Sequence, residues 1–253
     1  MTYTTQLQAG LGLVDETRML LELWQPGATS PRLYEAALAS GRFPGVTARR
    51  LKNIVKEGFA PRYLVNGGAP AQHLKLLSAK LPTGELLQFF FIFTARAQTI
   101  FGDFVRDIYW ERYATGASTL GNADALAFIQ RALDDGKTVK RWSDITIKRV
   151  SGYLTSCCAD FGLLEKASKP TRRIQAMQMA ETTAIYLAYD LHLQGLSDAG
   201  VLGHPDWQLF GLKRNEVLEM LKRLGRKGQL IVQSGGDVTR ISWKYDSLQE
   251  LCN

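Results

Sequence analysis

The chain has 253 residues, is 45% hydrophobic and 22% charged, and is long enough for one large core or two small ones. A composition of this kind excludes intrinsic disorder, collagen-like repeats and low-complexity architecture. Lys and Arg number 31 against 24 Asp and Glu, a formal +7, which fits either a polyanionic partner or a merely basic surface.

The first charge is Asp15, so the basic segment of a secretion signal is missing. The most apolar run, residues 86–95, is closed by Glu85 and Arg96 and is about half the length a bilayer-crossing helix needs. Cys157, Cys158 and Cys252 form no spaced disulfide framework and read as small buried residues. Together these point to a cytoplasmic protein with no membrane partner.

Positive charge is held in three blocks. Residues 1–70 carry a net +3, 136–175 a net +6 and 211–244 a net +5, while 71–135, 176–210 and 245–253 carry −1, −4 and −2. A solvated surface scatters its charges, so blocks of one sign suggest a footprint for a polyanion.

In chain order, Ser30-Pro31 opens a helix through Leu33, Tyr34, Ala37 and Leu38, and Gly41 to Gly45 makes a turn. Thr47 caps a second helix. Its apolar stripe is Leu51, Ile54, Val55 and Phe59, with Arg49, Lys52, Asn53 and Lys56 opposite. Helix, Gly-containing turn and basic helix form a helix-turn-helix pattern. The first candidate contact surface is Arg49, Arg50, Lys52 and Lys56.

Loops are expected at 66–70 and 116–122. Two helices are expected within 71–115, the second being aromatic and buried from Leu86 to Trp110. The boundary near 116–122 divides the chain into an N-terminal helical domain, 1–118, and a C-terminal one, 119–253. Asn122 caps a further helix that runs to Asp134 and is stopped near Gly136.

The second block repeats the first in outline: Thr146-Ile147-Lys148-Arg149-Val150 mirrors Thr47-Ala48-Arg49-Arg50-Leu51. Tyr153, Leu154, Cys157 and Phe161 continue its apolar side. The run 172–177 partly alternates and reads as a strand. Lys148, Arg149, Arg172 and Arg173 form the second candidate surface.

Residues 181–193 read as a buried helix. In the third block Val217, Leu218, Met220, Leu221 and Leu224 form a helical stripe, with Lys213 and Arg214 at its start. Residues 229–233 and 238–243 flank Ser234-Gly235-Gly236-Asp237, a hairpin about a Gly-rich turn. A basic helix followed by a hairpin is the winged form of the helix-turn-helix, which enters the major groove helix N-terminus first and also serves protein contacts. Lys213, Arg214, Arg223, Lys227 and Arg240 form the third candidate surface. The expected fold is mainly α, with helix-turn-helix and winged-helix elements and one or two short β-hairpin wings.

Motifs for chemistry are missing. There is no phosphate-binding Gly-rich loop ending in Lys-Ser/Thr, and Gly10-Leu11-Gly12 lacks the third glycine of a dinucleotide fingerprint. Gly116-Ala117-Ser118 does not continue as a nucleophile elbow. His73, His192 and His204 lie far apart without ligand-spaced partners, and His204-Pro205-Asp206 reads as a turn. Asp103 and Asp107 lie one helical turn apart, but Arg106 and Glu111 at helical spacing make them a charged face. No catalysis, metal or cofactor is expected.

The strings Tyr3-Thr4-Thr5-Gln6-Leu7-Gln8-Ala9-Gly10-Leu11, Glu16-Thr17-Arg18, Phe43-Pro44-Gly45-Val46-Thr47-Ala48-Arg49-Arg50-Leu51 and Phe59-Ala60-Pro61-Arg62-Tyr63-Leu64 resemble the BrxA family of BREX bacteriophage-exclusion systems. The likeness is strongest over residues 1–115. It implies a small, non-enzymatic component of a phage-defence system, helical and DNA-binding, with winged-helix features. The family has also been likened to the NusB antitermination factor, an RNA binder. The resemblance brings no residue-level motif.

The expected function is therefore double-stranded DNA binding, mainly through phosphates. Two alternatives are a NusB-like RNA-binding module, which needs residues 86–113 exposed for base stacking, and a structural adaptor docking other proteins of the defence system.

Overall fold

The computed structural model describes residues 2–9, 13–167, 169–235 and 238–252. It is mainly helical. The N-terminal half holds α1 (Val14–Leu23), α2 (Ser30–Ala39), α3 (Ala48–Asn53), α4 (Ala60–Tyr63), α5 (Ala69–Ser78), α6 (Thr83–Ala97), α7 (Thr99–Phe104) and α8 (Trp110–Ala114). After β1 (Thr119–Gly121) come α9 (Asn122–Asp134), α10 (Asp144–Asp160), β2 (Thr171–Arg173), α11 (Glu181–Leu193), α12 (Asp198–Leu202), α13 (Arg214–Arg226), β3 (Leu230–Gly235), β4 (Val238–Trp243) and α14 (Leu248–Cys252). None of the described helices is long and apolar enough to cross a membrane.

The α2–α3 pair forms as its sequence dictates. Gly41 and Gly45 take positive φ of 65° and 78°, and the Thr47 hydroxyl accepts from Arg50 N at 3.2 Å. Leu51, Ile54, Val55 and Phe59 are buried. The helix runs on through a π turn at Ile54–Phe59 into α4. Pro61 supplies the reason: it has no N–H and its ring crowds the carbonyl four residues back, so the ladder widens ahead of it.

The aromatic stretch is not one helix. It breaks at Gln98, whose φ of −122° and ψ of 81° are non-helical, giving α6 and then α7, which passes through a second π turn (Val105–Tyr109) into α8. At the corner, a methyl on Gly102 would sit 3.1 Å from the Ala95 carbonyl, so the backbones meet where the chain turns. Phe89, Phe90, Phe91, Ile92 and Phe93 are all buried, as expected of a helix apolar on every side. The central α6 touches α4, α5, α7 and α11, and one continuous core includes residues from Tyr3 to Cys252.

Asn122 is the first residue of α9 rather than its cap. Gly121 takes the cap position, its N–H donating to Asp124 Oδ2 at 2.8 Å, while Asn122 Oδ1 accepts from the Thr155 hydroxyl on α10 at 2.6 Å. Thr146 likewise differs from Thr47: the cap of α10 is Ser143, whose Oγ accepts from Thr146 N. The five-residue match thus falls at different helical positions.

The two small sheets are both antiparallel. β1 pairs with the distant β2, Thr119 opposite Arg173, so the second basic block ends in a long-range pair rather than a hairpin. β3 and β4 do form a hairpin, from Leu230 opposite Trp243 to Gly235 opposite Val238; Gly236 and Asp237, expected in its turn, lie outside the described residues, as do Gly10, Leu11 and Gly12. Leu230 and Ile241 are buried, and Ile241 N donates to Asp198 Oδ2 at 3.0 Å. The Trp243 indole stacks on the His192 ring at 4.3 Å.

Candidate nucleic-acid interface

On the first surface, Arg49, Arg50, Lys52 and Lys56 are all exposed. Lys56 pairs with Glu57 at 3.6 Å, and Arg50 borders a cavity with Asp15, Glu16 and Asp160. Part of this cationic face is therefore already met by carboxylates.

On the second surface, Lys148 and Arg149 stand exposed on the first turns of α10. Arg172 is used inside the protein: its guanidinium donates to the Thr155 carbonyl and to Ser156 Oγ, both at 3.1 Å, clamping β2 to α10. Arg173 is exposed.

On the third surface, α13 buries Val217, Leu221 and Leu224. Lys213 caps this helix and is exposed, its own N–H donating to Glu216 Oε2 at 2.8 Å. Arg214 donates to the Ala199 carbonyl of α12 at 3.1 Å. Arg223 and Lys227 converge on Glu181, at 3.5 and 2.5 Å, and these cations hold the Glu181 carboxyl below the usual range, the Lys227 hydrogen bond first. Arg240 is exposed on β4, opposite Gln233. Of the five candidate cations of this block, Lys213 and Arg240 are the two whose side chains are exposed and make no ion pair or hydrogen bond among the described residues.

Two groupings escaped the sequence. The first is a cavity of about 440 Å³ that brings His73 and His204 to Arg96, Asp190 and Asp206. Arg96 Nη1 lies 2.6 Å from Asp190 Oδ2 and its Nε 2.7 Å from Asp206 Oδ2. His73 Nδ1 is 3.1 Å from the Tyr186 hydroxyl, and His204 Nδ1 accepts from Asp206 N at 3.2 Å. Burial lowers both imidazole pKa values, outweighing the nearby carboxylates. The cluster balances two carboxylates against one guanidinium shared between α6, α11 and the turn at Pro205–Phe210, which suits it to hold elements together. Among the described residues no group of three or more His, Cys, Asp or Glu is arranged to hold a metal ion. Asp103 binds Arg106 at 2.8 Å and accepts from the Tyr3 hydroxyl at 2.7 Å.

The second grouping is an open groove of about 730 Å³ between Tyr3–Thr5 and the start of α10, lined by Lys140, Arg141 and Arg149. Only Arg149 was singled out by helical pattern, because residues 137–143 form a loop without periodicity. The pair Lys140-Arg141 beside Trp142 was the available signal.

The sequence model of the BrxA family matches residues 1–190. The chain belongs to the BrxA family. Membership in BrxA implies a component of a BREX phage-defence system. A comparison with curated proteins gives no match. Among solved structures, this BrxA chain is similar to a crystal structure of an uncharacterized protein from Magnetospirillum magneticum, with 15% identity, a TM-score of 0.60, and coverage of 75% of this chain and 94% of that one. At that identity the likeness speaks for the fold alone.

Proposed function

We propose that this BrxA-family chain serves BREX defence by binding double-stranded DNA, without catalysis and mainly through phosphate contacts. The observation that carries the reading is the order α11, α12, α13, β3, β4, with the apolar face of α13 buried and Lys213 and Arg240 exposed. We read this as a winged helix, with α13 as the helix that enters the major groove and the hairpin as the wing. The positive end of the helix macrodipole lies beside Lys213 and favours a phosphate there.

The RNA-binding alternative needs a stacking platform in residues 86–113. Phe89, Phe90, Phe91, Phe93, Phe101, Phe104 and Tyr109 are buried, and Tyr113 is half exposed at the far end, which favours duplex DNA over an RNA-stacking role. A gel-shift series with duplex DNA, single-stranded DNA and RNA at rising salt tests the proposal. Duplex preference is expected, with log K falling against log salt at about −0.9 per phosphate contact. A flat salt response, or preference for RNA, overturns it. The adaptor alternative is supported instead if every defence-system partner is still captured from nuclease-treated lysate and no duplex is bound.

A further inference from the structure

We infer that the groove between Tyr3–Thr5 and the N-terminal end of α10 is a second seat for the duplex backbone, with Lys140, Arg141 and Arg149 holding its phosphates. The inference rests on the duplex-binding reading above, but on elements separate from α13 and the hairpin.

Charge is the first argument. Among the described residues, the groove is lined by Lys140, Arg141 and Arg149 and by no carboxylate. This contrasts with Lys56, Arg223 and Lys227, which face acids within the protein, and with Arg172, which is bonded to α10. All three groove cations are exposed. Concentrated positive charge without internal acids is what a phosphodiester backbone recognises, and releasing its counterions drives association.

Apolar exposure is the second. Val139, in the groove wall, is 87% exposed, and Ile145, one turn along α10 from Arg149, is 75% exposed. With a duplex backbone seated beside the cations, these side chains would lose water against the sugar faces between phosphates.

Rigidity is the third. Tyr3 N donates to the Lys137 carbonyl at 2.7 Å, and Tyr3 bridges to Thr138. Trp142 is buried between Arg141 and the cap Ser143. The loop that presents Lys140 and Arg141 is thus pinned at both ends, and little ordering is left for binding to supply.

The test uses the full chain and a fluorescent duplex, with affinity measured across salt. Lys140→Ala/Arg141→Ala/Arg149→Ala should weaken low-salt binding more than tenfold, make the salt slope shallower by about 2 to 3, and leave melting unchanged. Val139→Ser/Ile145→Ser should weaken binding a few-fold at constant slope. Should the triple variant fold poorly, Lys140 acetylation in the wild-type protein replaces it, and duplex should protect Lys140 several-fold. Wild-type affinity and slope in the triple variant, or no protection of Lys140, overturn the inference; if Lys213→Ala/Arg240→Ala then weakens binding, the winged-helix reading stands alone. Loss of an acidic protein partner with duplex affinity unchanged would make the groove a protein-docking surface, against the inference. A wild-type chain that binds no duplex removes both readings.

Discussion

The Arg96 guanidinium on α6 meets the Asp190 carboxylate on α11 at 2.6 Å, joining opposite halves of the chain through a largely buried ion pair. Asp206 takes the same guanidinium from the other side at 2.7 Å. Arg96→Met would leave two mostly buried carboxylates without a counter-charge. The expected cost is about 3–5 kcal/mol in urea unfolding. A cost near zero would mean that water in the cavity solvates both acids.

On α13 the fold and the proposed binding can be tested separately. Leu221→Ala should cost about 2–5 kcal/mol of stability through a core cavity, and Val217→Asp should be worse because it buries an unpaired charge. Lys213→Ala/Arg240→Ala should keep the wild-type melting temperature while weakening duplex binding by about 1–3 kcal/mol. Arg214→Ala behaves differently, because its bond to the Ala199 carbonyl is internal: a stability loss of about 1 kcal/mol is expected. If the Lys213/Arg240 pair binds duplex like wild type, α13 is not the contact helix.

Gly211 governs the entry to α13. Its φ is +70°, and a methyl there would lie 2.7 to 2.9 Å from three carbons of the Trp110 ring. Gly211→Ala combines left-handed strain with overpacking, and should destabilise by about 1–3 kcal/mol or more. It should also shift tryptophan fluorescence, since Trp110 must move and release its bond to the Leu209 carbonyl at 2.9 Å. An unchanged spectrum with full stability would contradict the close approach.

Acid should weaken the fold through His73 and His204. Burial holds both below the ordinary value of 6.5, so the unfolded chain takes up protons at a higher pH than the native one. Their contribution is complete above 6.5 and is lost as pH falls from there through the lower native values. Asp107 acts oppositely, because burial raises its carboxyl pKa. Melting temperatures measured from neutral pH downward should therefore fall less steeply in His73→Phe and in His204→Asn than in wild type; Asn can retain the cap on Asp206 N. Parallel slopes in all three proteins would rule out these imidazoles as the source.

Local patterns were legible where one helix or one hairpin settled the matter. The Thr47 cap, the bounds of α11, the α13 stripe and the β3–β4 pairing all follow from short-range periodicity and capping. The break at Gln98 was hidden because apolar runs at 89–93 and 100–101 flank it on both sides, and the residues between them, among them the polar Arg96, Gln98 and Thr99, include neither Pro nor Gly to mark a helix end. The β1–β2 pair was hidden because its strands are three residues long and distant in sequence. The site was harder. Charge counting located the basic blocks, but it could not tell that Arg172, Arg223 and Lys227 bond to the protein itself. Nor could it join His73 to Asp190 and Asp206, or bring Arg149 to Lys140 and Arg141 across a loop. Those groupings depend on tertiary packing, which residue spacing does not encode.

The Tyr189 hydroxyl donates to the Gln229 carbonyl at 2.7 Å and accepts from Lys244 N at 2.8 Å, so one phenol on α11 fastens both feet of the hairpin. A wing hinged freely at its base would have to surrender that motion on meeting a groove, and calorimetry would register the ordering as an added loss of heat capacity and entropy. Fastened in this way, the hairpin should move with α11 as one body. Its encounter with a partner should then carry the thermal signature of surface burial alone, and cutting the fastening with Tyr189→Phe should appear as an entropic penalty on complex formation even though Tyr189 is buried.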